Sequence, residues 1–380
     1  MPANSRIKRA EFCPERLTLA RKAKLWTMTR LADEIGLTRQ AISQFERGEA
    51  KPSPVNLRAI SDALDQPVNY FTWNIFPEKQ SPATFRSLAS SAGKARDQAE
   101  VWLSTFASIA QVLQQHVNIP NVSLPEINIP DFTRLTKGDI EEISISTRRH
   151  FQLGNGPLSN LTLLLENHGI LIAFKKLNKG LSGLSQWYAG RPFVLIDPGR
   201  SACRARYSLS HELGHIILHQ QLTTDDEIFD KETFKLIEDQ ANYFGSAFML
   251  PESSLASEVY GTDWEALIEL KDRWKMSIAA LAMRLSEIDI ISDYQKTRIF
   301  RELGFRNARV HEPLDSVIKQ DYPRMFTRIM EVLEDGSVMN ISDLPNVVPI
   351  SNSLISDLTQ IPEESLLQNR MAPNVISLKR

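Results

Sequence analysis

Apolar residues recur at helical spacing through the first seventy positions, with short polar breaks between the repeats. This spacing predicts a helix over 28–35 that ends at Gly36 and a second over 39–47 that begins after Thr38. Further helices are predicted over 15–25, 55–64 and 68–71. Two short helices joined by a tight turn form a helix-turn-helix, so the pattern predicts an all-α domain of this type over residues 12–72.

The second helix of this pair carries polar residues away from the core. Ile42 is predicted to pack inward, which leaves Arg39, Gln40 and Gln44 directed outward. A recognition helix contacts base edges in this way, with Arg bonding guanine and Gln bonding adenine. Residues 1–60 contain twelve Lys or Arg and six Asp or Glu, an excess of +6, whereas the whole chain has a formal net charge of −2. DNA binding is predicted, and a small helical domain that binds protein is the alternative.

The pattern becomes less regular after residue 72. Residues 92–117 predict one long helix with an apolar side, which is more typical of a spacer or a dimer element than of a site. Residues 118–130 contain three prolines and little periodicity, which predicts a linker. Residues 73–131 are therefore assigned to a helical spacer and a Pro-rich linker.

Strand-length apolar runs appear only farther along the chain. Strands are predicted over 170–174, 183–188 and 193–197, and helices over 140–151, 157–167, 264–274 and 278–285. This mixture predicts an α+β domain over residues 132–310. Residues 311–380 contain one predicted helix over 322–333 and a stretch rich in Ser, Asn and Pro. A partner-binding domain, a lid and a partly ordered tail all remain open for this region.

The run from Ser208 to His219 carries the clearest chemistry. His211 and His215 are four residues apart, so on a helix both imidazoles lie on one face and can reach one zinc ion. Glu212 can then take a proton from a metal-bound water. A surface helix that carries His-Glu-x-x-His by chance is the alternative, and the apolar residues around the motif disfavour it.

A catalytic zinc site usually has three protein ligands and one open position. The pattern with a third histidine is absent, because Leu218 occupies the position of its glycine. The segment 237–251 offers Glu238, which as part of a helix shares a stripe of small residues with Ala241, Asn242 and Gly245. That stripe would allow the helix to approach the helix of His211 and His215 closely at Gly214. Asp239, the rival candidate ligand, does not lie on the stripe. His219 lacks an adjacent base when paired with His215, so it is interpreted as a second-shell or structural residue.

Two families resemble parts of this sequence. His-Glu-Leu-Gly-His-Ile-Ile-Leu-His, followed by Glu238-x-x-Ala-Asn-x-Phe and Phe-Met-Leu-Pro, resembles the ImmA/IrrE family of zinc metallopeptidases, which cleave repressors in mobile elements or stress responses. The resemblance implies a zincin-like fold with zinc ligands His211, His215 and Glu238 and general base Glu212. Leu-Ala-Asp-Glu-Ile-Gly-Leu-Thr-Arg-Gln-Ala-Ile-Ser-Gln-Phe-Glu-Arg-Gly resembles the Cro/C1-type (XRE) DNA-binding domain.

These expectations combine into a multidomain chain in which a helix-turn-helix domain precedes a zinc-dependent endopeptidase. The expected partners are DNA, as an operator with an inverted repeat bound by a homodimer, and a protein substrate such as a repressor or an antitoxin-like partner. One alternative is a transcriptional regulator whose zincin-like domain is a sensor or a structural module. Another is the protease or toxin component of a toxin–antitoxin or phage-defence operon. His219, Tyr188 and Tyr207 are the candidate oxyanion stabilisers.

The composition indicates the class of protein and its expected cellular location. The hydrophobic content of 42% and charged content of 24% are those of an ordinary globular protein. The two cysteines, Cys13 and Cys203, allow neither a disulfide framework nor a cysteine zinc site. The sequence shows no signal peptide and no apolar run long enough to cross a membrane, so a reducing cytoplasm is expected. The substrate, its cleavage site, the operator, the activating signal and the oligomeric state stay open at this point.

Overall fold

The computed structural model describes residues 11–80, 90–178, 180–199, 201–220, 222 and 230–367. The described residues form two compact units. One comprises the described residues within 11–77, 97–117 and 326–367, and is called the helical unit. The other comprises the described residues within 78–96 and 118–325, and is called the sheet unit. The described residues include no helix long and apolar enough to cross a membrane.

Helices account for most of the described chain. In chain order they are α1 (Pro14–Ala23), α2 (Met28–Ile35), α3 (Arg39–Glu46), α4 (Pro54–Leu64), α5 (Ser90–Leu113), α6 (Lys137–His150), α7 (Leu161–Asn167), α8 (Ala202–Leu218), α9 (Lys231–Met249), α10 (Glu252–Glu258), α11 (Trp264–Trp274), α12 (Ile278–Glu287), α13 (Asp293–Phe305), α14 (Met325–Asp335), α15 (Leu344–Val347), α16 (Asn352–Thr359) and α17 (Glu363–Leu367). The strands are β1 (Leu171–Phe174), β2 (Gly183–Tyr188) and β3 (Arg191–Ile196).

The helical unit contains the predicted helix-turn-helix as α2 and α3. Thr38 accepts a hydrogen bond from the Ala41 N–H and caps α3, as its position before the helix predicts. Gly36 ends α2 in the left-handed conformation, at φ 68°, which glycine adopts without steric cost. Ile42 is fully buried, so it anchors α3 to the core. The all-α prediction for this part of the chain is confirmed.

The helical unit extends beyond the predicted limit of residue 72. The fully buried Arg16 donates to the Trp73 carbonyl at 2.9 Å, and its guanidinium lies 4.2 Å from the Trp73 ring and 4.3 Å from the Phe76 ring. Part of the C-terminal region also belongs to this unit, because the rings of Phe106 and Phe326 lie 4.9 Å apart. Residues 326–367 are thus ordered helices rather than a tail.

The sheet unit is built around a three-stranded sheet of order β1-β3-β2. β1 is parallel to β3, whereas β2 is antiparallel to β3, and β1 and β2 are the two outer strands of this sheet. Apolar side chains of β1 and β3 pack with α8 and α9 in one core. The predicted α+β class is confirmed, and the small sheet leads directly into α8.

Two segments of the sheet unit differ from their predicted form. The helix predicted from Pro157 begins instead at Leu161, after the Asn160 cap. The Leu158 carbonyl, 2.6 Å from a nitrogen of the Arg206 guanidinium, accepts a hydrogen bond there and is not part of a helical ladder. The segment 118–130 has no helix or strand among its residues, but it is not a free linker, because the Ser123 N–H donates to the His168 carbonyl at 3.0 Å.

The residues after 310 contribute to the sheet unit through buried charges. The Lys271 ammonium is fully buried and lies 2.8 Å from a Glu312 oxygen and 2.6 Å from an Asp315 oxygen. The Glu166 carboxylate accepts hydrogen bonds from the Arg324 and Met325 N–H groups at 3.1 and 2.9 Å. The peptidase-like region predicted to end at 310 therefore continues structurally to about the start of α14.

Candidate metal centre

The zinc motif lies on α8, which Ser201 caps at its start. Nearly every residue from Ser208 to Leu218 is buried, and His211 is only partly so. The Nε2 atoms of His211 and His215 are 3.0 Å apart, on one face of the helix as their spacing predicts. Both imidazoles therefore point toward the same small volume.

Glu238 enters that volume from α9. One of its oxygens lies 3.6 Å from Nε2 of His211, and the other lies 3.6 Å from Nε2 of His215. Tetrahedral zinc with bonds of 2.0–2.1 Å requires ligand atoms about 3.3 Å apart, so the observed separations fit a zinc ion. Asp239, the rival ligand, is exposed and pairs with Lys235 at 3.0 Å. The structure brings together the three predicted ligands and leaves Asp239 outside the group.

Two glycines allow α8 and α9 to approach closely at this point. A Cβ atom on Gly214 would lie 2.9 Å from the Ala241 carbonyl oxygen, and one on Gly245 would lie 3.0 Å from the backbone nitrogen of His211. A Cβ contact of 2.9 Å requires the backbone to shift, and one of 3.0 Å is tighter than nearly all Cβ contacts in proteins. The small-residue stripe predicted from the sequence is therefore what sets the distance between the histidines and Glu238.

A chain of hydrogen bonds fixes the orientation of the His215 ring. The Gln240 amide N–H donates to the Phe132 carbonyl at 2.7 Å, so its Oε1 faces Nε2 of His219, 3.0 Å away, as an acceptor. His219 must then carry its proton on Nε2 and accept on Nδ1, which lies 3.3 Å from Nδ1 of His215. His215 donates from Nδ1 and keeps the lone pair of Nε2 for a metal.

Burial keeps all three rings neutral. It lowers the pKa of His211 and of His219 to about 4, and it holds the pKa of His215 well below its usual value. Neutral imidazole is the form that binds metal. The metal-binding form of the histidines is therefore the one expected at neutral pH.

Glu212 is buried next to the three-residue group. The Ser185 hydroxyl donates to Oε2 of Glu212 at 2.7 Å. Burial raises the pKa of Glu212 to about 8, and the Ser185 hydrogen bond opposes this while the negative charge of Glu238 adds to it. A Cβ atom on Gly183 would lie 2.8 Å from Oε1, so a larger residue there would force this carboxylate to move.

Several of these neighbours were not found by sequence reasoning. Gly183 and Ser185 stand two apart in β2, and small residues at strand spacing beside a motif helix are a signal that could have been read. Gln240 gives no such signal, since its role depends on side-chain orientation. Arg96, in the predicted spacer helix, is buried 6.0 Å from the Phe234 ring. Burial raises the pKa of both Glu212 and Glu238, and the positive charge of Arg96 opposes that rise.

The three candidate oxyanion stabilisers fare differently. Tyr188 lies on the face of β2 opposite Ser185 and donates to the Gln186 side chain, an arrangement that does not favour the oxyanion role. Both ring nitrogens of His219 are engaged in the hydrogen-bond chain that links Gln240 to His215. Tyr207 is one helical turn before His211, and its hydroxyl lies 3.3 Å from Oδ1 of Asn242. Tyr207 is the one of the three whose position still suits the role.

The predicted DNA-contacting residues lie at the surface of α3. Arg39 and Gln40 are exposed, and Gln44 is half-buried. The Arg47 and Lys51 side chains nearby are engaged with Glu49 and Glu11. The outward face of α3 thus carries the polar residues that a recognition helix requires, and base contact by these three residues stays a prediction.

Comparisons with known proteins agree with this description. Residues 165–286 match the IrrE N-terminal-like domain, a peptidase family, and residues 17–71 match the helix-turn-helix domain. A relative among curated proteins is the HTH-type transcriptional regulator SutR of Escherichia coli (strain K12), 26% identical over 136 residues, which are 36% of this chain and 69% of that protein. The chain therefore joins a helix-turn-helix DNA-binding domain to an IrrE N-terminal-like peptidase domain, the fusion that the sequence motifs predicted.

Proposed function

We propose that this chain is a zinc-dependent endopeptidase that cleaves a regulatory protein, such as a repressor or an antitoxin-like partner. The observation that carries the proposal is Glu212 beside a group of three ligands, His211, His215 and Glu238, whose donor atoms lie within 4.8 Å of one another. A structural zinc site closes with four protein ligands and has no use for a neighbouring base. Three ligands with an adjacent buried carboxylate support a catalytic site.

The residues of the site have separable tasks. A zinc ion held here would act as a Lewis acid and lower the pKa of a water molecule to about 7. Oε2 of Glu212 accepts the Ser185 hydrogen bond, so Oε1 is the atom that would take the proton of the attacking water. Glu212 would take that proton as an ionised carboxylate, a form that the positive charge of a bound zinc ion would favour, and would then pass it to the leaving amine.

Tyr207 is the proposed donor to the oxyanion. Burial, with the negative charge of Glu287, raises the pKa of Tyr207 to about 12, so its hydroxyl keeps its proton at any working pH. The hydroxyl donates to Oδ1 of Asn242, and the Asn242 side chain also interacts with that of His211. Replacing Tyr207 with Phe should therefore lower kcat while zinc binding is retained.

β2 is the proposed binding edge for the substrate backbone. It is one of the two outer strands of the sheet, and Ser185 on it contacts the Glu212 carboxylate. An extended polypeptide can add to such an edge through backbone hydrogen bonds. The scissile bond would then lie next to Glu212.

A second candidate is a transcriptional regulator whose peptidase-like domain is a sensor or a structural module. The relative that is itself a transcriptional regulator favours it. A role in a toxin–antitoxin or phage-defence operon would use the same chemistry on an operon partner. In each case the helix-turn-helix domain would bind an operator, as a dimer on an inverted repeat.

The test compares two carboxylate-to-amide variants. Glu212→Gln removes the base, whereas Asp239→Asn changes an exposed carboxylate beside the site. Each is co-expressed with the neighbouring gene products, and new protein N-termini are identified by mass spectrometry. The cleavage rate of Glu212→Gln should fall by at least 10²–10⁴-fold, while its zinc and DNA binding are retained. Asp239→Asn should cleave at the wild-type rate. If the Glu212→Gln protein kept every wild-type cellular phenotype, the endopeptidase proposal would be refuted and the transcriptional regulator would be the better proposal.

A further inference from the structure

A groove in the sheet unit lies between α6 and the residues that precede this helix. One wall is the segment 126–131, called the strap, and the other is the face of α6 that carries Asp139, Glu142, Ser146 and Arg149. The groove encloses about 710 Å³. Asp139 and Arg149 lie about 15 Å apart along the helix axis, which is the length of about four to five extended residues.

The strap is an extended segment whose backbone is open to a partner. Side-chain exposure alternates along it, because Glu126 and Asn128 are exposed whereas Ile127 and Ile129 are half-buried, and this is the period of an extended chain. Within the described part of the chain, the backbone N–H and C=O groups of residues 126–129 have no hydrogen-bond partner. An added polypeptide strand could therefore form backbone hydrogen bonds with the strap.

The floor of the groove is apolar. Ile127, Ile129, Leu135 and Ile143 are half-buried and pack against the core of the sheet unit. The same four residues line the groove, so part of each side chain stays accessible from it. A segment that docks in the groove should therefore place apolar side chains on this floor.

The rim of the groove is acidic. Of the described residues that line it, four carry carboxylates and one, Arg149, carries a guanidinium. The carboxylates of Asp131 and Asp139 are engaged locally, in a salt bridge of 3.1 Å to a neighbouring arginine and in the capping box of α6. Those of Glu126 and Glu142 are exposed, and no described residue pairs with either of them. The charge that complements this rim is positive.

We propose that this groove is a docking site for an extended segment of a partner polypeptide in which apolar residues alternate with lysine or arginine. The strap supplies the backbone hydrogen bonds, and the floor receives every second side chain. Glu126 and Glu142 pair with the basic side chains of the segment. The inference goes beyond the endopeptidase activity, because docking here requires neither zinc nor Glu212.

Two groove variants and a matched control separate this docking from general charge effects. Glu126→Gln combined with Glu142→Gln removes the two carboxylates that have no partner. The control makes the same change at Glu265 and Glu269, which are exposed on α11 of the same unit and do not line the groove. Ser146→Trp places an indole ring in the groove and changes no charge.

All variants are made in the full-length Glu212→Gln protein, so that peptides are bound and not cut. The probes are two fluorescein-labelled degenerate libraries of short peptides, one with lysine and the other with glutamate fixed at alternate positions, and binding is followed by fluorescence anisotropy. The parent should bind the lysine library more tightly than the glutamate library. Bound lysine peptides should also slow the hydrogen exchange of the amides in residues 126–129.

The paired glutamine variant should weaken binding of the lysine library about 5- to 30-fold, which is the effect of losing two exposed ion pairs. Ser146→Trp should weaken it as well, and the α11 control should bind like the parent. Equal affinity of the parent for both libraries, an equal loss in the control, no peptide binding, or no effect of either groove variant would overturn the inference.

Sedimentation of the same proteins tests whether a second copy of this chain occupies the groove instead. A change of oligomeric state in Ser146→Trp with unaltered peptide binding would assign the groove to that second copy and overturn the inference. Groove-dependent peptide binding by a protein whose wild-type form cleaves no partner would refute the proposed function alone.

Discussion

Replacing Gln240 with Leu tests whether a residue that touches no metal ligand controls the metal site. The substitution keeps the side-chain size but removes the oxygen that accepts from His219, 3.0 Å away. His219 can then move its proton to Nδ1, where it would face the Nδ1 proton of His215 across 3.3 Å. Two donors cannot share that contact, so His215 would be driven to protonate Nε2, its metal-binding atom.

The expected loss of zinc affinity is about 10- to 100-fold, or roughly 1.4–2.7 kcal/mol, which is the usual effect of removing such an outer partner. Leaving the Phe132 carbonyl without its donor should also lower the free energy of unfolding by about 1–3 kcal/mol. Gln240→Glu keeps an acceptor for His219 and should retain zinc affinity near the wild-type value. The exposed Asp239 one residue earlier provides a control as Asp239→Asn.

Zinc affinity is measured by competition with a chromophoric chelator, and the ring tautomers by ¹⁵N NMR of the metal-free protein. The wild-type spectrum should show His219 protonated on Nε2 and His215 on Nδ1. A folded Gln240→Leu protein with wild-type zinc affinity would refute the reasoning, even if its stability had fallen. Loss of affinity in Gln240→Leu together with an unchanged His215 tautomer would show that the effect arises from packing instead.

Three further outcomes are expected. Glu238→Ala should reduce zinc below one ion per chain in a metal analysis after dialysis, and full occupancy would show that another residue is the third ligand. The metal-free protein should lose stability, on the order of 2 kcal/mol, between pH 6.5 and 8.5, because the folded pKa of Glu212 near 8 exceeds its unfolded value and its stabilising proton is lost in that range; thermal unfolding of Glu212→Gln should lack this slope. Gln44→Ala should weaken binding to a selected operator by about 1–3 kcal/mol in a gel-shift titration, and a chain with no sequence preference in random-DNA selection would contradict the operator hypothesis.

The histidine positions could be predicted because the information is local. A helix returns to the same face every three or four residues, so His211 and His215 follow from their spacing alone. Glu238 could be placed because its small neighbours Ala241 and Gly245 predict a close helix contact, and a glycine on each side of that contact is what the structure shows. In each case the residues that support the prediction lie within one helix, α8 for the histidines and α9 for Glu238.

Contacts between distant elements could not be predicted in this way. Ser185 reaches Glu212 only because β2 crosses α8, and no periodicity in β2 identifies its partner helix. The pairing of Lys79 with Tyr188 depends on backbone atoms, so the side chains give no signal for it. The burial of Lys271 with Glu312 joins residues 41 apart, and no sequence pattern indicates that the sheet unit continues past residue 310 in this way.

The absence of side chains at Gly214 and Gly245 bears on how proteins with such a group of candidate ligands could lose it during evolution. One added methyl group at either position would meet backbone atoms at 2.9 Å or 3.0 Å and push α8 and α9 apart. The histidines lie on one helix and Glu238 on the other, so the ligand group would open although every ligand remained in the sequence. A survey that recognises enzymes by His-Glu-x-x-His and a distant glutamate would count such a chain as active. The residues at positions 214 and 245 should therefore be checked together with the ligands when relatives are classified as active or inactive.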